Sequence, residues 1–456
     1  MEYLRNKKGG NDLIHGGYQF QKIRDGNNGA VYWRCQNRSC KARLVVIDDV
    51  ITSSSGLPHT HGAPSSALAI QKTVDRIRTR ASNEHTPIPQ IYQEEANRVH
   101  ADPDAEAVKP NLPSYESLRT QMSRARRQNL PALPANREDI AVPPTFMNSL
   151  TGQRFLLFEG QGLEKSIIFA SDDMLSHLCD ANCIYMDGTF RSAPNLFHQI
   201  FTIHIVLGER QYPVVYALLP NKEARTYRNI FAIVKQECGN RGFNLNPQFV
   251  ISDYETGIIN AASHEFPNAV HKGCNFHFNQ CLFRKVQQVG LQQQYNADNS
   301  PIRAFVRKAA ALSFVPPLQV DNAWATLLLH IPEGNEIRRF ADYFAATWIN
   351  GNRSMWNYWM FQGPRTTNHV EGWHNKLNRI VAKNHPNIFE IFEVFRNEEG
   401  MYNIKLAQWA AGHRNNQRGH AAIQRDRVLQ ALAHDLITEE KTMMQYLTAV
   451  GYNIGL

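Results

Sequence analysis

Cys183-Ile184-Tyr185-Met186-Asp187-Gly188-Thr189-Phe190 is an apolar run that ends on an acid and then a glycine. Such a run, bounded by a turn signal, reads as a strand buried on both faces. Sixty-six residues after Asp187, Phe249-Val250-Ile251-Ser252-Asp253 repeats the pattern. A third acid, Glu371 in Asn368-His369-Val370-Glu371-Gly372-Trp373-His374, sits early in a helical pattern instead. An acid at the end of a buried strand is costly unless it is paired or binds a cation. Two such acids and a helix-borne glutamate are oxygen ligands suited to two hard divalent ions, Mg²⁺ or its substitute Mn²⁺. Two ions stabilise the attacking and leaving oxygens of phosphodiester chemistry, so the acids point to a nuclease or polynucleotidyl transferase. Each acid alone also has a plainer reading, as a solubilising charge or a charge favoured at a helix N-terminus.

The surroundings are α/β. Short strand-like runs at Phe155–Phe158 and Ser166–Ala170 precede a helix that starts at Ser171. Strands are expected at Ile184–Phe190, Phe197–Leu207 and Tyr212–Leu219. A helix at Thr226–Cys238 follows, with Tyr227, Ile230, Val234 and Cys238 on one face. Then come strand Phe249–Asp253, helix Thr256–Phe266, strand Ala269–Cys274 and helix Phe276–Leu291. The order β-β-β-α-β-α-β-α, with acids on strands one and four, matches a ribonuclease-H-like arrangement. There the first and fourth strands are neighbours in a mixed sheet, which would bring Asp187 and Asp253 together. Residues 292–365, helical and tryptophan-rich, would be a helical insertion within a core spanning 150–400, leaving the Glu371 helix free to fold back. Further helices are expected at 368–382, 388–412 and 418–448, so residues 401–456 form C-terminal helices.

Residues 1–64 read as a small β-rich module, with strands at Gly17–Ile23, Val31–Cys35 and Cys40–Ile47. Such a core is too small to stand without a staple. Residues 65–149 are polar, charged and punctuated by proline. Helical spacing at Ser66–Arg80, Ile91–Val99 and Ser114–Arg127, then Pro131, Pro134, Pro143 and Pro144, suggests a helical connector and linker. The cluster Arg124 to Arg127 suits a DNA or import contact and a solvated helix face equally well.

Composition narrows the classes. A net charge of +8 and a pI near 9.1 are compatible with nucleic acid, and equally with an ordinary solvated surface. No window offers eighteen uninterrupted apolar residues, so no membrane span is expected. The first ten residues lack the apolar stretch of a signal peptide, and an intracellular protein is expected. Seven cysteines then argue for thiols or metal ligands rather than a disulfide framework. Of these, Cys179, Cys183, Cys238 and Cys281 read as buried thiols.

Four strings carry a resemblance: Met186-Asp187-Gly188-Thr189-Phe190, Ser252-Asp253-Tyr254-Glu255, Cys274-Asn275-Phe276-His277 and Arg365-Thr366-Thr367 running into the Glu371 motif. Residues 183–382 resemble a MULE (Mutator-like element) transposase domain. The resemblance implies a DDE-type triad of Asp187, Asp253 and Glu371 that cleaves DNA ends and transfers strands. Cys274 and His277 match the family's C-x-x-H motif near the catalytic centre, as accessory residues. The N-terminal module resembles a FLYWCH-type zinc finger through Gly17-Tyr18-Gln19-Phe20, Tyr32-Trp33-Arg34-Cys35, Cys40-Lys41-Ala42-Arg43 and His59-Thr60-His61. Its ligands would be Cys35, Cys40, His59 and His61, a closed and therefore structural Cys₂His₂ zinc site. Lys22, Arg34, Lys41 and Arg43, interleaved with aromatics, would contact DNA. The resemblance further implies DNA element ends and target as partners, a nuclear location and a homodimer, although no heptad argues for one. A catalytically silent descendant acting as a DNA-binding or chromatin regulator is the alternative.

Overall fold

Alternating burial builds the N-terminal sheet. β1 (Glu2–Arg5), β2 (Asn11–His15), β3 (Tyr18–Asp25), β4 (Val31–Cys35), β5 (Arg43–Ile47) and β6 (Val50–Ser55) pair antiparallel in chain order. The computed structural model describes residues 1–5, 10–63, 65–84, 86–106, 108–129, 133–208, 210–381, 383–413 and 420–454. The side chain of Arg127, Pro131, residue 382 and residues 418–419 lie outside them. Leu13, Phe20, Trp33, Leu44 and Val46 form the buried face of this sheet. Three of its strands stand out in the sequence. β1, β2 and β6 do not, because they are short or almost wholly exposed.

Three helices complete the first of two compact units, residues 1–133: α1 (Ser65–Asn83), α2 (Ile88–Ala101) and α3 (Tyr115–Asn129). They bury Ile77, Ala81, Ile91, Leu118 and Met122 against one another. Leu68 packs on Leu4 and Ile14, joining α1 to the sheet. Glu95 of α2 is only 1% exposed and is met by Arg76, Arg80 and Arg98, each at 3.1 Å. A buried carboxylate needs such partners.

The second unit, residues 134–456, is built on a seven-stranded sheet. Its strands are β7 (Leu156–Glu159), β8 (Ile167–Phe169), β9 (Cys183–Thr189), β10 (Gln199–Leu207), β11 (Arg210–Leu219), β12 (Phe249–Ser252) and β13 (Val270–Gly273). They lie in the order β13-β12-β9-β10-β11-β8-β7. β12 is parallel to both β9 and β13, and the remaining pairs are antiparallel, so the sheet is mixed. Residues 134–149 contribute the short helix α4 (Pro144–Met147) and bury Ile140, Val142 and Phe146 in this unit's core. The sheet is flanked by α5 (Asp172–Asp180), α6 (Ala224–Gly239) and α7 (Thr256–Glu265). Phe201 of β10 packs on Tyr227 and Phe231 of α6.

A second core starts with α8 (Asn275–Gln288) and runs through α9 (Gln292–Asn296), α10 (Pro301–Ala311), α11 (Val320–Leu328) and α12 (Asn335–Phe344). It gathers Trp324, Trp348 and Trp356. α13 (Asn368–Val381) and α14 (Ile388–Ala410) return to the sheet, where Trp373 and Phe395 both pack on Tyr216. The single helix expected at 418–448 is two, α15 (His420–Ile437) and α16 (Met443–Asn453), packed into the second core. Glu439 takes a left-handed φ of 60°, and Thr442 with Gln445 forms a reciprocal cap that restarts the helix.

Candidate functional site

β9 and β12 bring two of the acids to one sheet edge. Their parallel register pairs Phe249 with Cys183, Val250 with Ile184 and Ile251 with Tyr185. Continued by two residues, it sets Asp253 opposite Asp187. Asp187 Oδ1 accepts a hydrogen bond from the Gly188 amide at 2.8 Å, and Asp253 Oδ1 accepts one from the Glu255 amide at 3.1 Å. Burial first, and then the charge of Asp253, push the Asp187 carboxyl up to about 7, with Glu371 adding to the rise. The charges of Asp253 and Glu371 are thus both felt at Asp187. Glycine is required after Asp187, since a Cβ there would come within 2.1 Å of Gln199 Oε1. Gln199 is itself fixed, donating to the Tyr227 hydroxyl at 2.6 Å, while that hydroxyl donates to Glu255 at 2.8 Å. Glu255 stands at the N-cap position of α7 with no side-chain cap hydrogen bond, and its carboxylate is engaged by Tyr227 instead.

Glu371 rides in the first turn of α13, where its Oε1 lies 3.2 Å from His277 Nε2. His277 lies on α8, three residues after fully buried Cys274. Its imidazole is raised to about 10, first by the hydrogen bond with Cys274 and then by Glu371, against burial. Burial pushes the Cys274 thiol up, yet hydrogen bonds from His277 and Thr367 outweigh it and leave the thiol below its usual range. The Thr367 amide donates to Cys274 Sγ at 3.3 Å, four residues before Glu371. His277 thus meets Glu371 through Nε2, with Cys274 one turn away at the start of α8.

Sequence reasoning passes over His374 as a site residue. It lies one helical turn after Glu371 with Nδ1 3.5 Å from Asp187 Oδ2, and the i, i+3 spacing within the quoted motif is the signal that could have found it. Burial lowers its imidazole to about 4. At neutral pH this contact joins a neutral ring to a carboxyl whose charge burial disfavours, and it is not an ion pair.

Cys35, Cys40, His59 and His61 present four ligand atoms all within 4.8 Å of one another. Cys35 Sγ is 3.2 Å from His61 Nε2, and Cys40 Sγ is 3.3 Å from His59 Nδ1. The edges of a tetrahedron built from zinc–sulfur and zinc–nitrogen bonds of about 2.3 and 2.0 Å are roughly 3.4–3.8 Å. The donor set suits zinc, and its spacings lie to either side of those edges. Tyr18 stacks on His59 at 3.5 Å between ring centroids, and His61 Nδ1 lies 2.9 Å from the Gly62 carbonyl, which leaves Nε2 for the cluster. Backbone hydrogen bonding, first at Ala42, pulls the Cys40 thiol down to about 6, while burial raises Cys35. Among the described residues this is the set of three or more such ligands that closes into a metal-sized group. Asp187, Asp253 and Glu371 do not close in this way.

The four basic candidates separate. Arg34 and Arg43 are direct cross-strand partners, so they share one exposed face of the sheet. Arg24 lies over the Tyr32 ring on the neighbouring pair at 4.8 Å. Lys22 registers with buried Trp33 and pairs with Asp25 at 2.6 Å, and Lys41 sits in the exposed loop next to Cys40.

A family model described as the MULE transposase domain matches residues 183–281, and one described as the FLYWCH zinc finger domain matches residues 3–61. The first covers Asp187, Asp253, Cys274 and His277 and ends before Glu371. A search of curated proteins gave no match. Among the described residues no helix is long and apolar enough to cross a membrane. The chain thus carries a FLYWCH zinc finger domain ahead of a MULE transposase domain, and the two support a transposase-related, DNA-binding function.

Proposed function

We propose that this protein is a DNA transposase, or a descendant of one, with a ribonuclease-H-like core over residues 150–400 and a helical insertion at about 292–365. It would cleave DNA at element ends and join the freed 3′-hydroxyl to target DNA. The observation that carries this reading is the meeting of Asp187 and Asp253 at the ends of adjacent parallel strands, with the charge of Glu371 felt at the same point.

Asp187, Asp253 and Glu371 would hold Mg²⁺ or Mn²⁺. Two such ions supply charge stabilisation to the attacking and leaving oxygens of an in-line displacement. Burial and mutual repulsion make the acid site of the chain alone electrostatically deficient, a deficit that cations relieve. His277 keeps Glu371 at the edge of the site. The zinc finger would bring DNA through Arg34 and Arg43, with Lys41 and Lys22 at its margins, so affinity should fall steeply with salt. A nuclear location and a homodimer follow from the same reading.

The test is Mn²⁺ binding to the full chain with nonspecific DNA present and zinc held constant. Wild type is compared with an Asp187→Asn, Glu371→Gln double variant. Wild-type binding that the variant loses supports the acid site, and Asp187→Asn alone should then abolish cleavage of element ends while DNA binding persists. Equal binding by both proteins removes the two-ion reading. One observation favours that second outcome: Glu371 is already engaged by His277 and the three acids do not close on a point. The protein would then be a catalytically silent DNA-binding or chromatin regulator.

A further inference from the structure

A cavity of about 410 Å³ opens between the start of β11, α13 and α14, outside the acid site. Tyr212, Trp373 and Tyr402 supply aromatic surface, and Arg210 and Lys405 bring positive charge to its lining. Glu398, the acid of the lining, is already used: it accepts from Trp373 Nε1 at 2.9 Å and from Lys376 Nζ at 2.6 Å. Two of the most buried lining residues are polar and unsatisfied. Gln211 is 7% exposed and Tyr216 fully buried. Among the described residues neither Gln211 Oε1 nor the Tyr216 hydroxyl has a hydrogen-bond partner. The other end of the Gln211 amide is fixed, donating to the Thr366 carbonyl at 3.1 Å. Buried polar atoms left without partners are rare and call for a water or a ligand. An acceptor and a hydroxyl behind aromatic walls, with cations alongside, match the edge, face and phosphates of one nucleotide.

The position fits too. Tyr216 registers with Thr202, and Thr202 with Asp187, so Tyr216 and Asp187 lie on one face of the sheet two strands apart. At about 4.8 Å per strand that is about 10 Å, two or three nucleotides along a strand. α13 serves both places, with Glu371 and His374 at the acids and Trp373 at the cavity.

We propose that this cavity receives a single unstacked nucleotide of a DNA strand whose phosphodiester two or three nucleotides away lies at the acid site. The base stacks on the aromatic wall, Gln211 Oε1 accepts from its edge, and the Tyr216 hydroxyl bonds to it. This rests on the DNA chemistry proposed above.

The test uses the full zinc-loaded chain and two mixed-sequence duplexes carrying 2-aminopurine, one fully paired and one with the 2-aminopurine as a single unpaired nucleotide. An unpaired base is the cheapest to unstack. Wild type should bind the unpaired duplex about tenfold more tightly and quench its emission, as stacking on an aromatic wall requires. A Gln211→Ala, Tyr216→Phe double variant should lose that preference while binding the paired duplex as wild type does. Tyr216→Phe alone, which deletes only an unpartnered hydroxyl, should lose part of it and controls for folding. Equal wild-type binding of both duplexes overturns the cavity proposal and leaves DNA binding intact, the result for a cavity that holds only water. A preference that the variants retain also overturns it, placing the base elsewhere. Binding of neither duplex removes the DNA reading and the cavity proposal together.

Discussion

Asp187 is a carboxyl that its surroundings hold protonated far above the ordinary carboxylate range. Burial is the larger cause and the charge of Asp253 the next, and together they raise it to about 7. In the unfolded chain an aspartate titrates near 3.9. Between those values the folded state binds the extra proton, so stability falls as pH rises through that window. Without divalent ions, Asp187→Asn should therefore raise the melting temperature at pH 8. The gain, on the order of 2–4 kcal/mol at about 1.4 kcal/mol per unit, should shrink toward zero as pH drops to about 4. Thermal unfolding of both proteins across pH 4–8 checks this. A difference independent of pH would mean that Asp187 is solvated in the folded state. The sequence carried the strand-end acids because each closes an apolar run, and it carried Cys35, Cys40, His59 and His61 through their spacing. It could not carry the link from His277 to Glu371. Those residues are far apart along the chain, and only the packing of α8 against α13 brings the raised imidazole of His277 to the glutamate.

At the scale of elements, the strand that ends on Asp187 is fixed by what lies beside its glycine. A Cβ on Gly188 would meet Gln199 Oε1 at 2.1 Å, and Gln199 cannot swing away without giving up the Tyr227 hydroxyl. Gly188→Ala should cost about 1–3 kcal/mol, the usual range for overpacking. Gly239, at the end of α6, has nothing within 4 Å of where a Cβ would stand. It is the control and should tolerate alanine without loss. Urea midpoints of the two variants decide. Equal midpoints would show that β9 and β10 can separate at no cost. A further element is fixed by its cap: Thr442→Ala removes the reciprocal hydrogen bonds that start α16 and should cost about 1 kcal/mol by the same measurement. The strands of the second sheet were legible because apolar runs at β9 to β13 are bounded by turn residues. The break between α15 and α16 was not, since helical periodicity passes straight through a stop that depends on a left-handed Glu439. β6 was invisible for the opposite reason, being exposed along nearly its whole length.

Two units with separate cores make the whole molecule, and they differ in what holds them. The unit of residues 134–456 contains two large apolar clusters, one around its sheet and one around its tryptophan-rich helices. The sheet of the first unit buries little more than Leu13, Phe20, Trp33, Ala42, Leu44 and Val46 beside its two cysteines. The polar composition of 65–149 suggested a connector. Its three expected helices are present over residues 65–129, and they pack on one another through Ile77, Ile91, Leu118 and Met122 within the first unit. A sheet of this size needs its staple, and zinc in small finger domains contributes about 10–16 kcal/mol of folding free energy. Chelation of the whole chain, or Cys35→Ser, should therefore unfold β2 to β5. α1 should loosen with them, because Leu68 packs on Leu4 and Ile14 and Lys72 pairs with Glu2. The sheet carrying Asp187 and Asp253 shares neither ligand nor core with that site and should remain folded. Hydrogen exchange read by mass spectrometry checks both halves of the statement. Peptides over 11–47 should lose protection on chelation while those over 183–273 keep it. Loss of protection in both would mean that the two cores are energetically one, and equal protection in both would mean that the Cys₂His₂ cluster is held by the sheet rather than holding it.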